Sequence, residues 1–245
     1  MNLVLISESE ATTGIAAEDP RAAHLVGTVG VRPGTTFHVG VENGLRGLAK
    51  VTECSPTLRF TVTWEKERQR ALPLTVLVGL PRPQTARKVL HDLASLGAAE
   101  IVFFVPEKGD PAYGASSLWR DGEWREQLRK GAEQACSTLI PRTSRHDSLA
   151  EALGALAPGG LRVALDPYEA EGPLSAAAAN LASATLAVGP ERGWSDSERR
   201  ALRAAGFSLR HLGDRVLRVE AATLAGGALL LASLGAWREH RPLTG

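Results

Sequence analysis

Downstream of residue 71 the chain alternates short apolar runs with longer segments of helical period, and this alternation restricts the fold more than any other feature. The runs lie at 74–80, 101–105, 161–165 and 185–188, and helices are expected at about 83–96, 122–136, 146–157, 174–182 and 196–205. Strands that alternate with helices form βαβ units, which require a parallel sheet covered on both faces. Ligands of such open sheets bind beyond the carboxyl ends of the strands, which directs attention to the loops that open at Asp166 and Gly189.

The first seventy residues follow another rule. Leu58, Phe60, Val62 and Trp64 alternate with Arg59, Thr61 and Thr63, the period of two that marks a half-buried strand. Phe37, Val39 and Val41 form a second such run, Leu45, Ala49 and Val51 a third, and Glu42-Asn43-Gly44 supplies the turn between them. Asp19-Pro20 opens a short helix, with Asp as its cap and Pro at the first helical position. The expectation is a small, mostly antiparallel β domain over 1–70 and an α/β domain over 71–245, with the charged stretch 65–70 closing the first.

Composition removes several function classes. Lys and Arg number 28 against 27 Asp and Glu, so no overall charge announces nucleic acid, a membrane surface or an acidic substrate; any such partner must meet a local patch. The 2 cysteines, Cys54 and Cys136, have no ligand spacing, and the six histidines (His24, His38, His91, His146, His211, His240) are scattered, so neither a metal site nor a disulfide framework is expected. A reducing cytoplasm is the expected location, since the apolar start lacks the basic region of a signal peptide. Residues 221–237 carry no charge, but their many small residues favour a packed core helix over a membrane span. Trp119 and Trp124, among Arg120, Arg125, Arg129 and Lys130, read as half-buried helix anchors in preference to a stacking surface for RNA. Arg199, Arg200 and Arg203 read as a solvated helix face.

Two stretches carry more than structure asks for. Ser195 and Glu198 form a capping box, and Gly206 is placed to end the helix they start. Before them, Gly189-Pro190-Glu191-Arg192-Gly193 holds more glycine and charge than a strand-to-helix turn needs, and glycine lets a backbone approach a ligand closely. Further on, His211-Leu212-Gly213-Asp214-Arg215-Val216-Leu217-Arg218-Val219-Glu220 crowds two arginines and a glutamate against an apolar helix, either as helix punctuation or as a site.

The series Gly189-Pro190-Glu191-x-Gly193-Trp194-Ser195-x-x-Glu198, Gly206-Phe207 and Leu212-Gly213-x-Arg215-Val216-Leu217-Arg218-x-Glu220-x-Ala222 resembles the pattern "GPEGGFS..E…GF…LG.RILRTETA" of the RsmE family of 16S ribosomal RNA (uracil-N3)-methyltransferases, members of the SPOUT class. His24-Leu25-Val26 with Val31-Arg32-Pro33-Gly34 is similar to "HLxxVLRlkvGd", and Glu133-Gln134 with Pro141 to "EQsgR…P". The resemblance implies an N-terminal PUA-like β-barrel that helps hold RNA and an α/β domain tied in a trefoil knot, with dimers formed through knot-domain helices. It implies that S-adenosylmethionine binds at Leu165, Asp166, Gly189, Pro190, Glu191, Gly193, Leu212, Gly213, Val216, Leu217 and Arg218. Arg218, Glu191 and Glu220 become the candidate catalytic residues, and His24, Arg32, Arg192 and Arg215 the candidate contacts to ribosomal RNA.

The chain departs from the pattern at several positions where function is expected to reside. Gly30 stands at the "VLR" arginine, Ser137 at the "EQsgR" arginine, Arg192 at the second glycine of "PEGG", Val219 and Ala221 at the threonines of "TETA", and Ser95 at a usual acid. Lost arginines weaken phosphate contacts. A divergent member that binds cofactor or RNA but methylates another base, or none, therefore stands beside the first reading. A Rossmann-type nucleotide-binding enzyme is a third, against which stands the absence of a G-x-G-x-x-G turn after any expected strand.

Overall fold

The structure, a computed structural model, describes residues 3–176 and 181–237. It divides into two compact units, Met1–Arg70 with Arg129–Ile140, and Ala71–Leu128 with Pro141–Gly245. Residues 129–140, which the sequence reading counts with the 71–245 domain, therefore fold with the first unit.

In the first unit five strands, β1 (Val4–Ile6), β2 (Ile15–Ala16), β3 (Thr36–Val41), β4 (Arg46–Glu53) and β5 (Thr57–Trp64), bond in the order β1-β3-β4-β5-β2. β1 runs parallel to β3 and every other pairing is antiparallel. The period of two is realised: Ala49 and Val51 of β4 and Leu58 and Phe60 of β5 enter one core, while Lys50, Arg59 and Thr61 face solvent. Helix α1 (Glu10–Thr13) follows β1, and α2 (Pro20–Ala23) starts where the Asp19 carboxylate accepts the Arg21 N–H at 2.8 Å. The chain continues from α2 as a π-helical turn, His24–Val29, closed by Gly30 at φ 79.

The second unit holds β6 (Leu72–Gly79), α3 (Pro83–Leu96), β7 (Ala98–Phe104), α4 (Ser117–Arg120), α5 (Glu123–Gln134, whose last residues pass into the first unit), β8 (Arg142–His146), α6 (Leu149–Ala155), β9 (Leu161–Leu165), β10 (Ala184–Val188), α7 (Asp196–Ala204), β11 (Ser208–Arg210) and α8 (Val219–Ser233). Its six strands bond in the order β11-β9-β10-β6-β7-β8, all parallel. The central strands are buried almost throughout, β10 at every position, as a sheet covered on both faces demands. Of the helix expected over 174–182, Leu174–Ala176 form a 3-10 turn and residues 177–180 lie outside the described residues, as does His240.

On one face Leu77, Phe104, Trp194, Leu202 and Phe207 build the core. On the other, α8 lies against the sheet and α3 through glycines: a Cβ on Gly226 would stand 3.0 Å from a methyl of Leu186, and one on Gly227 3.0 Å from a methyl of Leu96. The uncharged stretch is thus a packed helix, and among the described residues no helix is long and apolar enough to cross a membrane. Strand order reverses between β6, which leads to β7 and β8, and β10, beyond which lie β9 and then β11. A crevice at the carboxyl ends is expected there.

Candidate functional site

The carboxyl ends of β6, β9, β10 and β11 open on a cleft of about 590 Å³, a size suited to a nucleoside-sized ligand. Its walls come from the loops that follow these four strands.

The loops after β9 and β10 are pinned from beneath. Trp194 is buried, stacks parallel on Phe104 with centroids 5.9 Å apart, and donates its Nε1–H to the Leu165 carbonyl at 2.8 Å. Gly189 makes room for it: a Cβ there would stand 3.2 Å from the indole. Ser195 and Glu198 form the expected capping box, so α7 begins at a fixed point one residue after the indole. Gly206 ends it, with the Phe207 N–H reaching back to the Leu202 carbonyl. Glu191 Oε1 accepts the Arg82 N–H at 3.1 Å and ties this loop to the start of α3.

Asp166 is the buried acid of the site. Its Oδ1 accepts the N–H groups of Tyr168 and Glu169, and its Oδ2 accepts Nε–H of Arg199, which is itself buried. Burial alone would raise this carboxyl, but the Arg199 hydrogen bond, the Tyr168 N–H and the guanidinium charge hold it below its ordinary value. Arg199 is therefore not part of a solvated face as its helical spacing suggests, because its partner lies 33 residues upstream; Arg200 and Arg203 are exposed as expected.

The wall after β11 is built differently. Gly213 stands at φ 111 and donates its N–H to His211 Nδ1 at 3.1 Å. Among the described residues the backbone N–H groups of residues 214–218 make no hydrogen bond, and Arg215, Val216, Leu217 and Arg218 are exposed. At its end Glu220 lies 3.3 Å from Lys88 Nζ. A hydrogen bond from its own backbone N–H and the Lys88 ammonium keep this carboxyl below its ordinary value against the opposing effect of burial.

All eleven residues proposed for the cofactor line this cleft, together with Arg215 and Glu220. Arg192 does not; its side chain points to solvent, and its backbone lies outside the left-handed region, so arginine fits there without strain. His24 and Arg32 belong to the first unit, where Arg32 donates to the Val31 carbonyl at 2.8 Å. Arg82, Lys88, Tyr168 and Arg210 also line the cleft but are not marked in the sequence, and His211, which opens the second stretch, lines it as well. The signal for Arg82 and Lys88 was topological: they follow β6, the strand at which the order reverses. Trp119 packs edge-on against Phe103 at 4.9 Å, as an anchor does. Among the described residues no group of three His, Cys, Asp or Glu could hold a metal ion.

An apolar cleft edged by free main-chain donors and cationic side chains can hold a flat heterocycle by backbone hydrogen bonds and draw an anionic chain to its rim. The family described as RNA methyltransferase domain matches residues 68–231. Ribosomal RNA small subunit methyltransferase E of Treponema pallidum is 31% identical over 100% of this chain and 96% of its own, and Ribosomal RNA small subunit methyltransferase E 1 of Borreliella burgdorferi is 27% identical over 96% and 99%. The crystal structure of a Ribosomal RNA small subunit methyltransferase E from Neisseria gonorrhoeae, bound to S-adenosyl methionine, shares the fold with a TM-score of 0.77 at 21% identity, covering 95% of this chain and 97% of that one. With the family match covering every strand of the second unit and the whole cleft, and the Treponema relative covering the full chain, the chain belongs to the RNA methyltransferase domain family and, within it, to the RsmE-type ribosomal RNA small subunit methyltransferases.

Proposed function

We propose that the protein transfers a methyl group from S-adenosylmethionine to N3 of a uridine in 16S ribosomal RNA. The observation that carries this reading is the run 215–218, whose backbone N–H groups make no hydrogen bond among the described residues and which lines one cleft with the pinned wall. The residues fit the donor: Leu165, Leu212, Val216 and Leu217 offer apolar walls to an adenine, and the free main-chain groups beside them offer partners to its polar edge. When bound, S-adenosylmethionine supplies an electrophilic methyl group on a sulfonium. Orientation accounts for much of the acceleration in such a transfer, and a pinned wall provides it.

The acceptor nitrogen carries a proton that must leave. Glu191 keeps Oε2 without a hydrogen bond among the described residues and lines the cleft, which makes it the candidate acceptor of that proton. Glu220, its carboxyl kept below its ordinary value by its own backbone N–H and by Lys88, orients the donor or a water. Arg218, exposed at the first residue before α8, stabilises the charge that grows on the uracil oxygens. Arg192 and Arg215 bind phosphate, and the first unit, as a PUA-like half of the protein, holds RNA through His24 and Arg32. The uridine must be flipped or single-stranded, since pairing hides N3.

The knot belongs to this proposal. Its support is the family and the path of the chain, which leaves β10, passes beyond β9 to form β11, and returns as α8 over β10 and β6. So does the homodimer, supported by the exposure of Leu224 and Leu229 on α8, and so does a cytoplasmic location. The substitutions at Gly30 and Ser137 favour a second reading in which another base of the RNA is the target.

The test is incorporation of labelled methyl from S-adenosylmethionine into small ribosomal subunits isolated from cells lacking the activity, followed by nucleoside mass spectrometry. N3-methyluridine at one methyl per subunit is the expected result. A different methylated base would establish the second reading, and no incorporation would overturn both.

A further inference from the structure

We propose that Tyr168 is the platform on which the target pyrimidine stacks, an inference that rests on the ribosomal RNA methyltransferase reading. Tyr168 is 75% exposed and lines the cleft. Its hydroxyl makes no hydrogen bond among the described residues, and its ring faces Gly193, 3.8 Å from where a Cβ would stand.

An exposed tyrosine on a surface loop needs no explanation in itself. What sets this one apart is the structure that holds it. Its N–H is fixed by Asp166, which is fully buried and paired with the buried Arg199, and the same guanidinium lies 6.0 Å from the ring. A buried ion pair is a costly device for shaping a loop that carries nothing. Here it presents one flat aromatic face to solvent at the lip of the donor cleft. Val216 and Leu217, 76% and 41% exposed, give the same cleft further apolar surface in the wall after β11. A base lifted out of its stack loses its neighbours' faces, and an aromatic side chain replaces one of them whatever the base. The exposed arginines at 192 and 215, which form no ion pair among the described residues, stand in the flanking loops to hold the phosphates of the displaced nucleotide.

Tyr168→Ala and Tyr168→Phe test the role against four readouts in the full-length protein: donor binding, methyl transfer, crosslinking and sedimentation. Calorimetric titration with S-adenosylmethionine is expected to give both variants the wild-type affinity within about twofold. Methyl transfer to small ribosomal subunits is expected to fall about ten- to a hundredfold in kcat/KM for Tyr168→Ala, the range of one base–aromatic stack, and to persist in Tyr168→Phe. A single-stranded oligoribonucleotide carrying 5-iodouridine, irradiated on the protein with S-adenosylmethionine present, is expected to crosslink at residue 168, mapped by mass spectrometry. Wild-type transfer rates in Tyr168→Ala would overturn the proposal while leaving the methyltransferase reading intact. Parallel loss of donor binding would overturn it by assigning the ring to the donor pocket, and a changed sedimentation coefficient would overturn it by showing that a second copy of the chain covers the ring. A wild-type protein that binds the donor but methylates no subunit would remove the underlying reading, and this inference with it.

Discussion

The two sides of the cleft are made by opposite means. After β9 and β10 the backbone is held by buried groups: the Trp194 indole on the Leu165 carbonyl, the Asp166–Arg199 pair under Tyr168, and the capping box at Ser195 and Glu198. After β11, the backbone N–H groups of residues 214–218 make no hydrogen bond among the described residues, and all five residues are exposed. A wall fixed by buried side-chain contacts is already in place when a ligand arrives, whereas an exposed wall without such contacts is completed by the ligand. The site thus divides orientation, assigned to the first side, from capture, assigned to the second. Each side can be altered without the other.

The largest effect should come from the pinned side. Arg199→Ala leaves a buried carboxylate without its cation, and breaking a buried pair in this way costs about 3–5 kcal/mol. Urea denaturation at neutral pH should show a loss of that size. The same pair sets a pH dependence. Asp166 is held below its ordinary value of 3.8, so its contribution is full above about 4 and is lost as pH falls through the lower folded value. Wild-type stability should therefore decline below about pH 4, and Asp166→Asn, less stable at neutral pH, should show a shallower decline. An equal slope in both proteins would mean that other carboxylates dominate acid unfolding.

Trp194→Phe is a smaller break on the same side. It keeps an aromatic ring over Phe104 but removes the donor to the Leu165 carbonyl and leaves a small void, at a cost of about 1–3 kcal/mol. Since Leu165 and Gly189 both line the cleft and both meet the indole, donor affinity should fall along with stability. Calorimetry on the folded variant measures the first and thermal unfolding the second. Loss of stability with unchanged affinity would show that the pinned wall does not need its pin.

What could be read in the sequence follows the same division of labour. The interior strands β6, β7, β9 and β10 are apolar runs because both faces of a parallel sheet are covered, and their expected positions lie within a few residues of those observed. The edge strands β8, Arg-Thr-Ser-Arg-His, and β11, Ser-Leu-Arg, have no such run; one neighbour and a solvated side free them from apolar patterning, so neither stands out in the sequence. Arg199 is misread because i, i+4 spacing describes a helix face and says nothing of an acid 33 residues away. Trp194 is visible only as an aromatic in a motif, since its partner carbonyl belongs to another strand. The cleft loops were legible through their glycines and through the family pattern, but Tyr168 lay beside the pattern without a spacing of its own to mark it.

The smallest effect on stability, and the sharpest contrast, belongs to the wall after β11. Val216 is 76% exposed, so Val216→Ser removes almost no buried surface and should leave unfolding free energy within about 0.5 kcal/mol of wild type. If the donor completes this wall, the same change removes apolar surface that becomes covered only in the complex, and affinity should fall by about 1 kcal/mol, close to fivefold. Hydrogen exchange supplies the backbone half of the test. The amides of 214–218 should exchange near the unprotected rate in the free protein and slow by at least about tenfold with saturating S-adenosylmethionine, whereas the Trp194 region should be protected in both states. Protection of 214–218 in the free protein would make the two walls alike, and the separation of orientation from capture would fail at the one segment on which it depends.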